Sequence, residues 1–318
     1  MKKEVARDIS YSSSAKSKAG RAVIRSIENI TGRISLIKKA KDYENEVAAG
    51  RDFWEVILEK YNIRLNILGG SLENIPKKGP VVVVANHPYG ILDGLMLGYI
   101  LSTTRTDFRI LAHRVFKKAQ DLDKVILPIN FDETRDGMAQ NIETRKRAIS
   151  YLSKGGCVGI FPGGTVSTSV KPFGKAMDPS WRKFTARLIA KSKAQVVPIY
   201  FEGSNSRLFQ IASHLHYNLS MALLIKEFRR RTNDKVSVVV GEVFADHKIN
   251  EYKKSAEELM NFLRTETYKL SPQKTKGFEK GFDFDTGLLA KRTIEGKSRA
   301  CSQRVTSGVC IAIVQSIM

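Results

Sequence analysis

A chain of 318 residues is long enough to bury a substantial core, and it reads as one domain with appendages. Its 53 Lys and Arg stand against 32 Asp and Glu, a net charge of +21, which points to a polyanionic partner: an anionic membrane surface, nucleic acid, or phosphorylated substrates and carriers. The three cysteines, Cys157, Cys301 and Cys310, show no metal-ligand spacing and no disulfide framework, which suits a reducing cytoplasm.

The charged start, MKKEVARDISYSSSAKSKAG, has no apolar segment behind it of the kind a secretory signal carries. No apolar run approaches the roughly 18 to 20 residues of a spanning helix. A protein of this pattern that meets a bilayer is expected to lie on it. Residues 1–41 hold eleven Lys or Arg against three acids, a local balance of +8. From Arg21 to Lys41, Val23, Ile27, Ile30, Ile34 and Ile37 recur at helical spacing, with Arg21, Arg25 and Lys39 opposite and Thr31-Gly32 as a break point. Two readings stand for this helix: an interfacial element pressing its apolar stripe into anionic lipid, or a helix packed on its own domain. A second helix is expected over Tyr43 to Tyr61, with Val47, Trp54, Ile57, Leu58 and Tyr61 on one side.

Ile63 to Leu68 alternates as a strand, and Gly69-Gly70 reads as its turn. Pro76 to Pro80 then leads into Val81 to Val84, a β-branched apolar run of the kind buried on both faces of a sheet. Asn86, His87 and Pro88 interrupt that run. Tyr89-Gly90 turns the chain, Asp93 follows, and an apolar helical stretch covers Leu95 to Leu101. A polar triplet between a buried strand and a helix start is where α/β proteins place their chemistry. Neutral histidine is the side chain best suited to take a hydroxyl proton near neutrality, above all when a carboxylate such as Asp93 holds its other nitrogen. The plain alternative is a capping Asp and a histidine that satisfies the turn.

Phe108 to Ala112 and Val125 to Asn130 read as strands, each followed by charge: His113, Arg114, Lys117 and Lys118 after the first, Phe131-Asp132-Glu133 after the second. A helix is expected over Asn141 to Leu152. Cys157 to Ser169, CVGIFPGGTVSTS, is an apolar strand ending in Phe161-Pro162 and a side-chain-free bend, Gly163-Gly164-Thr165. Glycines there let backbone amides approach a phosphate or a developing oxyanion, although Gly-Gly alone is an ordinary turn. A helix over Pro179 to Lys193 packs through Trp181, Phe184, Leu188 and Ile189. Gln195 to Phe201 is a buried strand with Pro198 expected to force a bulge, and Asn205-Ser206-Arg207 follows its end. His214 and His216 diverge by about 200 degrees on a helix, so no metal role is expected of them. KEFRRR, Lys226 to Arg231, is a cationic helix end; Lys235 to Val243 is a last strand, and Ser255 to Leu270 a final amphipathic helix. The 48 residues from Ser271 show no sustained period and read as a poorly ordered extension. The domain reading is therefore a basic helical element over 1–61, a core domain over 62–270 and the extension over 271–318.

Asn86-His87-Pro88 with Asp93-Gly94 resembles the first block of the glycerolipid acyltransferases, the 1-acylglycerol-3-phosphate acyltransferase family. The N-H-P-x-G-x-x-D-G form is that of a bacterial lysophospholipid acyltransferase branch, some members of which are labelled hemolysin-like. The resemblance runs from about residue 20 to residue 270. It implies His87 as general base and Asp93 as its orienter, with Asn86 and Gly90 in the substrate-facing turn; the usual spacing places four residues between the pair, whereas five intervene here. Phe161 to Ser167 resembles the F-P-E-G-T-R-S block, which implies backbone amides of Gly163, Gly164 and Thr165 at the transition state. Gly163 stands in place of the acid and Val166 in place of the arginine, which removes two side chains that serve a glycerol-phosphate acceptor. Arg135 and Arg145 are candidates for the second block's phosphate-binding arginine, or simply members of a charged helix face. The strand bearing Pro198 resembles the fourth block, near the acyl cleft, and Arg207 can reach the same region.

Together these readings predict an α/β fold with a largely parallel central sheet flanked by helices and a helical N-terminal element. The resemblance implies transfer of an acyl group from acyl-CoA or acyl carrier protein to a lysolipid hydroxyl, lysophosphatidate or another lysolipid such as lyso-ornithine lipid, without metal or cofactor, on the inner face of the cytoplasmic membrane. With no G-x-S-x-G context, direct attack is favoured over an acyl-enzyme. The competing classes are a non-catalytic basic membrane-surface protein and a lipid esterase. Nucleic acid is not expected as a partner, for no helix-turn-helix, zinc-ligand set or aromatic-basic motif is present.

Overall fold

A computed structural model describes residues 10, 12, 17–113, 120–129, 135–171, 173–215, 217–252, 254–273 and 279–283. Seven strands form one sheet in the order β1-β7-β6-β2-β5-β3-β4. They are β1 (Arg64–Gly70), β2 (Val81–Ala85), β3 (Phe108–His113), β4 (Ile126–Ile129), β5 (Cys157–Ile160), β6 (Gln195–Phe201) and β7 (Lys235–Val240). Every neighbouring pair is parallel except β6 with β7. The largely parallel sheet expected from the strand–helix alternation is what the chain builds.

The valines of β2 explain its central place. All five residues are fully buried. Val81, Val83 and Ala85 enter one core layer, Val82 and Val84 the other, as a period of two dictates. The first layer is roofed by α4 (Phe53–Tyr61), α5 (Ile91–Thr104) and α10 (Tyr217–Arg230), the second by α7 (Arg135–Ser153), α8 (Lys183–Ser192) and α12 (Ala256–Lys269). Short helices α6 (Gln120–Asp123), α9 (Arg207–Leu215) and α11 (Asp246–Glu251) complete the connections. β2 lies between β5 and β6. The chain leaves β2 through α5 toward β3 on one side, and leaves β5 for β6 on the other. The C-terminal end of β2 is thus a topological switch point, the place where such sheets open a crevice.

Several expected boundaries move. The Arg21–Lys41 helix is two, α1 (Lys18–Thr31) and α2 (Arg33–Lys39), broken at Gly32, which takes φ 129°. Ile24 and Leu36 are buried and Ile27 and Ile37 pack on the core, while Val23, Ile30 and Ile34 face outward. Tyr43 to Tyr61 also splits, into α3 (Tyr43–Ala48) and α4, because Asp52 accepts the Trp54 and Glu55 amides at 2.9 and 3.0 Å and starts a new helix. Gly69-Gly70 continues β1 instead of turning it. A Cβ on Gly70 would stand 1.7 Å from Val240 O, so glycine serves close strand approach there. Pro198 forces no bulge. The β2–β6 register is unbroken from Val81 to Ala85, and Pro198 precedes the first residue paired to β7, Ile199, where its missing amide does least harm. Of the basic cluster, His113 ends β3, while Arg114, Lys117 and Lys118, the Phe131–Glu133 segment and His216 lie outside the described residues.

Candidate active site

The turn after β2 builds its own geometry from residues close in sequence. Gly90 takes φ 88° and ψ −115°, a conformation open to glycine, and thereby caps α5. Asp93 then falls at the third helical position, where its Oδ2 accepts the backbone amides of Tyr89 at 2.7 Å and Gly90 at 2.9 Å. The same Oδ2 lies 2.9 Å from His87 Nδ1, close but off the ring N–H axis. The extra residue between the pair is absorbed in this bend. Asp93 is fully buried, and burial pushes its carboxyl above the usual carboxylate range against the pull of His87 and the two amides. A carboxylate at Nδ1 holds the ring proton there and leaves the Nε2 lone pair for a hydroxyl. Nε2 has no hydrogen-bond partner among the described residues. The ring stacks on Phe161, centroids 4.3 Å apart.

Asn86 is turned the other way. Its Nδ2 donates to Phe201 O at 2.9 Å and its Oδ1 accepts the Phe201 amide at 2.7 Å. Both polar ends are committed to the end of β6, so Asn86 ties two strand ends together.

The bend after β5 is assembled from distant residues. Gly164, at φ 75°, donates its amide to Phe161 O at 3.1 Å, so that amide serves the turn. Thr165 is buried, and its hydroxyl is without a hydrogen-bond partner among the described residues. Val166 belongs to the apolar core. Ser167 N–H donates to His87 O at 2.8 Å, which joins the two turns. Thr168 and Met177 then bridge, so the intervening loop leaves and returns to one point and brings Asp178 under the histidine. Asp178 Oδ1 accepts His87 N–H at 3.1 Å and Ser167 Oγ–H at 2.5 Å; Oδ2 accepts Trp181 Nε1–H at 2.8 Å. Asp178 was not legible as a site residue, and its only local signal is the Asp178–Trp181 spacing.

Two cavities flank this arrangement. One, of about 420 Å³, is lined by Phe161, Pro162, Gly164 and Thr165 together with Arg145, Arg182, Lys183 and Arg187. The other, of about 540 Å³, is lined by Asn86, Pro88 and Ser167 together with Arg207, Arg230 and Arg231. Each lining includes a neighbour of His87. Arg207 is exposed and donates to Gly174 O at 2.7 Å. Arg145 lies over the Phe184 ring, 5.1 Å from its centroid, and Arg135 is exposed at the start of α7. Pro198 is buried within β6, three residues before Asn86's partner Phe201, and is absent from both linings.

A histidine beside a buried carboxyl, set at a switch point between two basic cavities, suits transfer of a group onto a hydroxyl. Residues 69–202, which run from the end of β1 through β6 and hold both turns, match the family model described as acyltransferase. The lyso-glycine lipid O-acyltransferase of Phocaeicola vulgatus is 27% identical over 257 residues, covering 79% of this chain and 88% of that relative. The protein of the same description from Bacteroides thetaiotaomicron is 26% identical over 206 residues, covering 63% of this chain and 72% of the relative. Among solved structures, the 1-acyl-sn-glycerophosphate (LPA) acyltransferase PlsC of Thermotoga maritima aligns with a TM-score of 0.44 at 15% identity, covering 80% of this chain and 98% of that one. The protein is an O-acyltransferase. Within that class the chain is similar to the two lyso-glycine lipid O-acyltransferases over most of its length.

Proposed function

We propose that the protein transfers a fatty acyl group from an acyl-CoA or acyl carrier protein thioester to the hydroxyl of a lyso-amino-acid lipid of the lyso-glycine kind. The observation that carries this reading is the match to relatives of that name, one of them covered over 88% of its length. The site supports it: Gly163 and Val166 supply neither the acid nor the arginine of the glycerol-phosphate pattern, and Val166 is packed in the core. Arg207, Arg230 and Arg231 line a cavity beside His87 suited to a carboxylate head group.

His87 Nε2 takes the hydroxyl proton as the acceptor oxygen attacks the thioester carbonyl. The tetrahedral intermediate collapses, the C–S bond breaks, and the imidazolium returns its proton to the departing thiolate. Asp93 orients the ring throughout. The reaction takes place at a membrane surface. Val23, Ile30 and Ile34 are exposed on helices that also carry Arg21, Lys38 and Lys39, and among the described residues no helix is long and apolar enough to cross a membrane. Sedimentation with phosphatidylglycerol vesicles should weaken with salt and with Ile30→Glu, because exposed charges are screened within about 10 Å at 0.1 M salt.

The deciding experiment supplies labelled acyl-CoA or acyl carrier protein with lyso-glycine lipid, lyso-ornithine lipid and lysophosphatidate in competition. Label should enter the amino-acid lipids first. A preference for lysophosphatidate would overturn the acceptor assignment.

A further inference from the structure

Asp178 is fully buried, lies 91 residues from His87, and has no part in the proton transfer described above. Its carboxylate nevertheless gathers three donors: His87 N–H, Ser167 Oγ–H and Trp181 Nε1–H. Two of these belong to a closed ring. Ser167 N–H donates to His87 O while Ser167 Oγ–H and His87 N–H meet on the same Asp178 oxygen. The histidine's peptide is therefore gripped on its amide side by Asp178 and on its carbonyl side by a residue that Asp178 also holds.

Asp178 is itself anchored from elsewhere. Tyr268 Oη accepts its amide at 2.7 Å, and Arg264 Nη2 and Gly281 N–H donate to its carbonyl, each at 2.8 Å. Gly163 completes the fit. A Cβ there would meet Asp178 Oδ2 at 3.0 Å, Cγ at 3.1 Å and Cβ at 3.2 Å, so the Asp178 side chain fills the space into which a residue at 163 would project. In the F-P-E-G-T-R-S pattern that position is the acid.

We infer that Asp178 is the positioning residue of this active site, holding the His87 peptide in register from the loop beyond the bend, and that its side chain takes the space a side chain at 163 would use. This rests on His87 being the general base. If that reading fails, His87→Ala retains turnover, a result separate from any below.

Three donors on one carboxylate make substitution by an amide informative. Asp178→Asn keeps the shape but offers a single oxygen, and its NH₂ faces one of the donors. The His87 peptide then shifts, and misplacement by about 1 Å costs up to about 10²-fold in rate. For full-length enzyme with acyl-CoA and lyso-glycine lipid, Asp178→Asn is expected to lower kcat about 10- to 100-fold with both KM values within about threefold. Gly163→Glu alone is also expected to lose activity, since it sets a second buried carboxylate against the first.

The decisive variant is Gly163→Glu combined with Asp178→Gly, which removes all three atoms the new side chain would meet and supplies a carboxylate from the other side. Recovery of kcat at least tenfold above Asp178→Asn, at equal folded fraction by thermal melt, is the expected result. Retained kcat in Asp178→Asn overturns the inference. So does a double variant that melts like the parent yet recovers no kcat, and so does one that neither folds nor turns over.

Discussion

The turn after β2 and the bend after β5 meet across one histidine, yet they are built in opposite ways. In the first, the base, its carboxylate and the glycine that shapes the bend lie within seven residues, and the contacts among them span three to six positions. In the second, the residues that hold the bend come from far along the chain: Asp178 from beyond an excursion, Gln210 on the Ser169 amide at 2.9 Å, and Phe282 on Thr168 O at 3.0 Å. One catalytic element is local and self-supporting, while the other is held by tertiary contacts. Variants in the first should change chemistry with little effect on stability. Variants in the second should alter position and stability together.

The largest effects are expected at the local element. His87→Ala removes the proposed base, and Asp93→Asn exchanges the carboxylate for an amide that can donate to Nδ1 and hold the wrong tautomer; each should lower kcat by about 10²- to 10⁴-fold. Asp93→Asn carries a further sign. Burial raises the Asp93 pKa above its unfolded value, so the folded state holds that proton more tightly than the unfolded chain does. The stability it contributes is present below the unfolded pKa and is lost as pH rises through the folded one. An asparagine has no such loss. Melting curves of the variant and the parent should therefore move in the variant's favour between pH 4 and pH 8. A shift in the parent's favour would mean that the His87 contact and the two amides outweigh burial.

Asn86→Ala sharpens the comparison from inside the same turn. By motif position Asn86 belongs with His87; by geometry it is a strap between β2 and β6. Truncation leaves the buried Phe201 amide and carbonyl without their partners, a loss of about 1 to 3 kcal/mol for each unsatisfied group. A clear fall in melting temperature with the acceptor KM little changed fits the strap. A raised acceptor KM at unchanged stability would return Asn86 to the substrate.

Range of contact also explains what could be read in advance. The sheet was legible because Val81 to Val84 and the strands around it carry periodic apolar signals, and His87 with Asp93 was legible because their contact is encoded at fixed local spacing. Gly163 and Val166 were visible as departures from a pattern, but the carboxylate that packs against Gly163 was not, since nothing around Asp178 marks a partner 91 residues away. The N-terminal helices show a middle case. Their 3.6-residue period was visible, yet of the stripe Val23, Ile27, Ile30, Ile34 and Ile37 three members are exposed while Ile24 and Leu36, outside it, are buried, and only packing decided which side faces in.

The smallest expected effect is the most direct probe of the long-range element. Residues 271–318 show no pattern in sequence, and yet Gly281 and Phe282 reach the floor of the site: Gly281 N–H donates to Asp178 O and Phe282 N–H to Thr168 O. Gly281 lies so close that a Cβ would stand 1.7 Å from Met177 O and 2.7 Å from Thr168 O. No flexible side chain is involved, so Gly281→Val cannot be absorbed and must lift this segment away. Asp178 keeps Tyr268 on its amide and Arg264 on its carbonyl, so the carboxylate loses one of its supports and not its place. A fall in kcat of a few-fold, with KM for both substrates unchanged, is the outcome that fits a bend held from a distance. If Gly281→Val leaves kcat untouched while Asp178→Asn lowers it, the support of the bend ends at α12. The 279–283 segment then covers the site without helping to position it.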